Sequence, residues 1–101
     1  MVLVQVAKVA DIPEGEGRIV DANGQEIALF HKNGKFFAIN NTCPHQGGPL
    51  GEGFLEDCVV TCPWHGWQFD VTSGESKMPP GMKIQTYAVE VKGDNVFVEI
   101  V

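Results

Sequence analysis

Cys43-Pro44-His45-Gln46-Gly47-Gly48-Pro49-Leu50-Gly51-Glu52-Gly53 and Cys62-Pro63-Trp64-His65-Gly66-Trp67-Gln68-Phe69-Asp70 are the two stretches on which the reading of this chain turns. Each offers one thiolate and one imidazole, so four metal-ligating side chains arrive as two matched pairs. Residues 41–57 carry Pro44, Gly47, Gly48, Pro49, Gly51 and Gly53, too much punctuation for regular structure. Met78-Pro79-Pro80-Gly81 is a second rigid stretch, with φ fixed at two adjacent positions. Loops of this kind need a scaffold to hold them out, and function tends to sit on them.

The rest of the chain supplies that scaffold. Turn signals recur at Asn23-Gly24, Asn33-Gly34, Ser73-Gly74 and Gly93-Asp94-Asn95. Between them lie short runs rich in Val, Ile and Phe that read as strands: 3–8, 17–21, 25–31, 35–40, 59–61, 68–71, 84–91 and 95–100. The two Asn-Gly pairs favour tight hairpin turns, because both central residues need positive φ. No window carries a sustained helical repeat, so the chain is mainly β. There is no internal repeat beyond the two Cys-Pro segments, no low-complexity tract and no interdomain linker.

The 101 residues make room for a single domain with one modest core, and an apolar content of 44% is that of a globular protein. Seven basic against 13 acidic residues give a net charge of −6. That excludes a general nucleic-acid binder, which needs a Lys/Arg-rich surface. It suits docking on basic surfaces and equally suits an ordinary solvated surface. The first residues have no basic region followed by a long apolar run, and no stretch approaches the ~20 apolar residues that span a bilayer. A cytoplasmic protein without a membrane anchor is expected. Two of the three cysteines fall in the motif, which leaves no pair for a structural disulfide and agrees with a reducing compartment.

A lone Cys is most often a small core residue and a lone His a hydrogen-bonded structural one, and Cys58 and His31 take those readings. Four ligand types in two similarly built loops are a different matter. Zinc is the serious rival, since two Cys and two His satisfy a tetrahedral site. Zinc fingers, however, group Cys with Cys and His with His around a helix, and here the types are interleaved. A plant-type 2Fe–2S site needs four cysteines and there are three. A Cys–His hydrolase needs an oxyanion site and a substrate pocket, and no segment points to either.

Together the two quoted stretches closely resemble Rieske proteins, most of all the bacterial Rieske-type ferredoxins that serve aromatic-ring dioxygenases. The resemblance runs from Val9-Ala10-Asp11-Ile12-Pro13 to the closing strand near Val98. It implies an antiparallel β-sandwich with a small cluster-binding subdomain over roughly residues 41–82, all within one Rieske domain spanning 1–101. It implies one 2Fe–2S cluster, with Cys43 and Cys62 on the inner iron and His45 and His65 on the outer one. The Pro79-Pro80 loop would cover the cluster from the side. Imidazoles on one iron leave such a cluster less negative, so Rieske centres span roughly −150 to +300 mV against about −400 mV for all-Cys plant-type clusters.

High-potential Rieske proteins of respiratory complexes carry an extra disulfide-forming Cys in each ligand loop. The matching positions here are Gly48 and Trp64. Those relatives also place Ser and Tyr hydroxyls near the sulfurs, where this chain has Trp67 and Phe69. Fewer donors lower the potential, so a value near −150 mV is expected. Ring-hydroxylating oxygenases need a further 2-His-1-carboxylate iron site, and after the cluster ligands only His31 remains. The chain is therefore expected to be no enzyme but a monomeric electron carrier of aromatic hydrocarbon catabolism. It would take electrons from an NAD(P)H-dependent flavoprotein reductase and pass them to a terminal oxygenase. The small Rieske-like subunit of an assimilatory nitrite reductase and a zinc-stabilised interaction module are the alternatives. Trp64 is expected in the docking patch with Gln46, Pro49 and Leu50 as neighbours, the acidic surface is expected to steer the encounter, and Trp67 and Phe69 are assigned to the core and Asp70 to a turn.

Overall fold

The protein is described by a computed structural model over residues 2–43, 47–64, 66–78 and 80–100. The strands are β1 (Val2–Lys8), β2 (Gly17–Ala22), β3 (Gln25–Lys32), β4 (Lys35–Asn40), β5 (Phe54–Glu56), β6 (Val59–Thr61), β7 (Gln68–Asp70), β8 (Ser76–Met78), β9 (Thr86–Tyr87), β10 (Val89–Lys92) and β11 (Asn95–Ile100). Short 3-10 turns occupy Val9–Asp11 and Leu50–Glu52, and no α-helix occurs among the described residues. The strands form three antiparallel sheets, ordered β1-β11-β10, β2-β3-β4-β9 and β5-β6-β7-β8. This is the mainly β, antiparallel architecture expected.

Turn chemistry fixes the register. Asn23 (φ 51°) and Gly24 (φ 88°) close β2 onto β3 with Ala22 opposite Gln25, and Asn33 (φ 55°) and Gly34 (φ 73°) close β3 onto β4 with Lys32 opposite Lys35. Glu14 reinforces the second turn. Its carboxylate accepts the N–H of Asn33 at 2.7 Å and that of Gly34 at 3.1 Å, which holds its pKa below the usual glutamate value. His31 stacks on Phe36 with centroids 4.3 Å apart, and its Nδ1 lies 2.7 Å from the Ile12 carbonyl oxygen. These contacts give His31 the structural role read from the sequence.

The run Ile27-Ala28-Leu29-Phe30 is apolar throughout because the middle sheet is buried on both faces. Ile27 and Leu29 pack with Ala38, Val96, Val98 and Ile100 against the three-stranded sheet. Ala28, Phe30 and Ile39 face the other way, toward Val60, Phe69, Val71, Leu50 and the two motif cysteines. Each fully buried Phe contributes roughly 1.5–3 kcal/mol relative to exposure. Gly17 pairs with Phe30, and a Cβ there would meet the Phe30 ring at 2.5 Å, so the ring takes the space a side chain would fill.

Three expectations change. The run 84–91 is two strands, not one: β9 pairs with β4 and β10 with β11, so the chain switches sheets at Ala88. Strands β5 and β8 had no counterpart in the sequence reading. Leu50 is fully buried in the second core cluster rather than part of a docking patch. Leu50→Ala is accordingly expected to cost about 2–5 kcal/mol in chemical denaturation. A cost under about 0.5 kcal/mol, the usual surface value, would contradict its burial.

Candidate metal centre

The two motif cysteines sit at the mouths of two loops built to the same plan. In the first, Thr42 bridges Pro49, the Cys43 N–H donates to the Gly48 carbonyl at 2.9 Å, and the Gly47 N–H donates to the Cys43 carbonyl at 2.8 Å. In the second, Thr61 pairs with Gln68, the Cys62 N–H donates to the Trp67 carbonyl at 2.7 Å, and the Gly66 N–H donates to the Cys62 carbonyl at 3.1 Å. Gly47 and Gly66 occupy equivalent places with φ 76° and 75°. That left-handed conformation suits glycine, and it lets the chain reverse within four residues of each cysteine.

The loops are held from below by different means. The second continues directly from β6 into β7. The first is clasped by Asn41, a buried polar residue whose Oδ1 accepts the Gly51 N–H at 2.7 Å while its carbonyl accepts the Leu50 N–H at 2.8 Å. A Cβ on Gly51 would lie 3.0 Å from that same oxygen and 2.6 Å from Ile19 Cγ1, so glycine is required for the clasp to close. Sequence reasoning missed Asn41. The signal was present in Asn40-Asn41-Thr42, a polar run at the point where a strand gives way to a loop.

Cys43 and Cys62 are 1% and 2% exposed and belong to one buried cluster. Gly48 joins the loops. A Cβ built on it would stand 2.6 Å from Cys62 Sγ and 3.3 Å from Trp64 Cγ, and its carbonyl holds the Cys43 N–H. A side chain at position 48 would therefore occupy the approach to the thiolate. Its nearness to Trp64 agrees with the expected equivalence of positions 48 and 64 to a cross-loop pair. Cys58, by contrast, lies in the Asp57-Cys58 turn between β5 and β6 and packs against the core from outside. His45 and His65 lie outside the described residues, as do Gln46 and Pro79.

The remaining expectations near the site can be placed. Phe69 is fully buried and Trp67 packs partly buried on the same core, as assigned. Asp70 is a turn residue: its Oδ1 accepts the Thr72 N–H at 2.8 Å and the Thr72 hydroxyl, and Gly74 donates to its carbonyl at 2.8 Å. Burial would raise its pKa, but the Thr72 hydrogen bonds and the nearby Lys77 ammonium outweigh that and hold it low. Trp64 is 58% exposed, so it is not packed away beneath the loop. Ser76, buried, donates its N–H to the Met82 carbonyl at 2.8 Å and accepts the Met82 N–H on Oγ at 2.9 Å, which ties the segment 80–82 back onto β8.

Gly48→Val is expected to cut the metal content of the purified protein, because the valine would displace Cys62 Sγ. Cys58→Ala is expected to leave it unchanged. Metal analysis with visible spectroscopy checks both, and loss of metal in Cys58→Ala would show that the ligand set has been misread.

Comparison with known proteins bears directly on this site. The Rieske [2Fe-2S] domain family model matches residues 2–88. The 3-phenylpropionate/cinnamic acid dioxygenase ferredoxin subunit of Shigella flexneri serotype 5b (strain 8401) is 37% identical over 99 residues, covering 96% of this chain and 92% of that one. A solved chain from the complex of reduced oxygenase and oxidized ferredoxin in carbazole 1,9a-dioxygenase superposes with a TM-score of 0.88 at 31% identity, covering 96% of this chain and 92% of that one. A protein assigned as the small subunit of an NADH-dependent nitrite reductase from Mycobacterium tuberculosis has a TM-score of 0.90, covering 99% of this chain and 96% of that one. Its 22% identity shows a shared fold alone. With the model matching 2–88 and the dioxygenase ferredoxin subunit at 37% identity, this chain belongs to the Rieske [2Fe-2S] domain family.

Proposed function

We propose that the chain is a one-electron carrier, the ferredoxin component of a multicomponent ring-hydroxylating dioxygenase. It would receive electrons from an NAD(P)H-dependent flavoprotein reductase and deliver them to the terminal oxygenase in the cytoplasm. One observation supports this above the rest: two buried cysteines on loops of matched hydrogen bonding, with only the bare Cα of Gly48 where they meet. That cradle and its donor set fit a Rieske cluster. Cys43 and Cys62 would hold one iron and His45 and His65 the other, within a cluster-binding subdomain of residues 41–82 in a single Rieske domain. When bound, the cluster stores and releases single electrons at a potential its thiolate and imidazole ligands set.

The chain's own residues would do three things. The rigid hairpin frames fix the ligands, so that little rearranges between the two redox states. Phe69, Trp67 and the core beneath them keep water from the thiolates' inner side. Phe69 and Trp67 also bring no hydroxyl toward the sulfurs, so the negative charge of the reduced state is less stabilised. The dioxygenase relatives favour the ferredoxin reading over the nitrite reductase subunit, whose resemblance rests on fold. Among the described residues no helix is long and apolar enough to cross a membrane.

The midpoint potential in a redox titration is expected near about −150 mV, at the low end of the Rieske range. A value above about +100 mV would contradict the argument from missing hydroxyls. His45→Ala and His65→Ala are each expected to abolish the Rieske signature in visible and EPR spectra.

A further inference from the structure

The ligand-loop end of the molecule differs sharply in charge from the rest. Segments 41–51 and 61–69 contain no Asp, Glu, Lys or Arg, and segment 76–84 contains only Lys77 and Lys83. All 13 acidic residues lie elsewhere in the chain. Both lysines belong to the lower part of the β7–β8 hairpin: Lys77 Nζ lies 4.0 Å from Asp70 Oδ2, and Lys83 bridges Glu75. The end itself is left without charged side chains.

Topology gathers exposed apolar groups at the same end. β6 runs into the second ligand loop and β7 runs away from it, and β8 then returns with Met78 opposite Gln68. Phe54 lies opposite Thr61, the residue before Cys62, so Phe54, Thr61, Gln68 and Met78 form one row across the sheet just below the cysteines. Phe54 is 73% exposed, Met78 63% and Trp64 58%, with Met82 beside them in the 80–82 turn. Phe54 also forms the shared wall of two surface grooves, one against residues 15–19 and one against residues 56–59. A monomer has no folding reason to expose three large apolar side chains around an uncharged end. Contact faces between proteins are depleted in charge at their centres and enriched in aromatic residues and Met.

We infer that this end, bearing Phe54, Trp64, Met78 and Met82, is the contact face for an electron-transfer protein whose own face is apolar and uncharged at its centre. The acidic residues then lie outside the contact and do not set the encounter, contrary to the steering expected from net charge. The inference rests on the electron-carrier reading, since it makes this end the place where electrons leave.

The test is stopped-flow oxidation of the reduced holoprotein by hexacyanoferrate(III), an anion, and by hexaammineruthenium(III), a cation. Between about 0.01 and 0.15 M ionic strength the Debye length contracts from ~30 to ~8 Å. Each rate constant is expected to change by less than about twofold over that range, because the exchange end carries no charge to be screened. Met78→Glu and Phe54→Glu should each make the anion's rate rise with salt and the cation's fall, with unchanged EPR spectra, while Val91→Glu on the far sheet should not. Opposite slopes of about tenfold in the wild type, as a −6 charge would impose, would overturn the inference. So would a rate that drops with protein concentration as sedimentation reports a dimer, which would give the patch to a second copy. A reduced sample with no Rieske EPR signal would strike the carrier reading itself and take the contact face with it. Steep slopes in a sample that has the signal would strike only the contact face.

Discussion

The structure depends on letting two loops from different parts of the chain meet with nothing between them. Gly48 marks that meeting. Its carbonyl fastens the first loop to Cys43, and its missing side chain leaves Cys62 Sγ room on the other side. Any Cβ there would sit 2.6 Å from the sulfur, a distance that packed atoms do not tolerate. Much of the surrounding construction serves to bring that glycine to that place. Asn41 clasps the first loop onto the central sheet, Gly51 allows the clasp to close, and the β6–β7 hairpin presents the second loop at the same height.

This arrangement suits electron transfer better than catalysis on a substrate. A carrier needs a centre that changes charge without the protein around it rearranging. Two hairpin frames with repeated hydrogen bonds, standing on a core shared with the central sheet, provide that stiffness. The scaffold beneath is stiffened in turn by its own local chemistry. Glu14 ties the β3–β4 turn, and its lowered pKa means that this tie is present above the ordinary glutamate range and fades as pH falls through it. The sheet switch at Ala88 lets one short segment serve both the middle sheet and the three-stranded sheet.

Much of this was legible in the sequence, for identifiable reasons. Asn23-Gly24 and Asn33-Gly34 announce hairpins because few other dipeptides take positive φ twice, and both turns form. Ile27-Ala28-Leu29-Phe30 announces a strand covered on both faces. The cysteine loops stand out by ligand type and by glycine and proline density. What escaped was whatever depends on distant partners. Phe54-Leu55-Glu56 and Ser76-Lys77-Met78 are three-residue strands whose existence follows from pairing with β6 and β7, too short to leave a periodic trace. Leu50 reads as a loop residue from its Gly and Pro neighbours, and only tertiary packing shows it buried. Asn41 is polar and therefore looked exposed, whereas its amide oxygen is spent inside the fold. Of the four ligands read from the motif, Cys43 and Cys62 are brought together, and the two histidines lie outside the described residues.

The measurement that bears most directly on the account is EPR of the dithionite-reduced protein, with iron and acid-labile sulfide counted on the same sample. The account predicts a rhombic signal whose average g lies below 2 and below that of all-cysteine clusters, at one two-iron cluster per chain. A protein without that signal that carries one zinc per chain would contradict it, and the two loops would then be a structural metal clip rather than the seat of an electron.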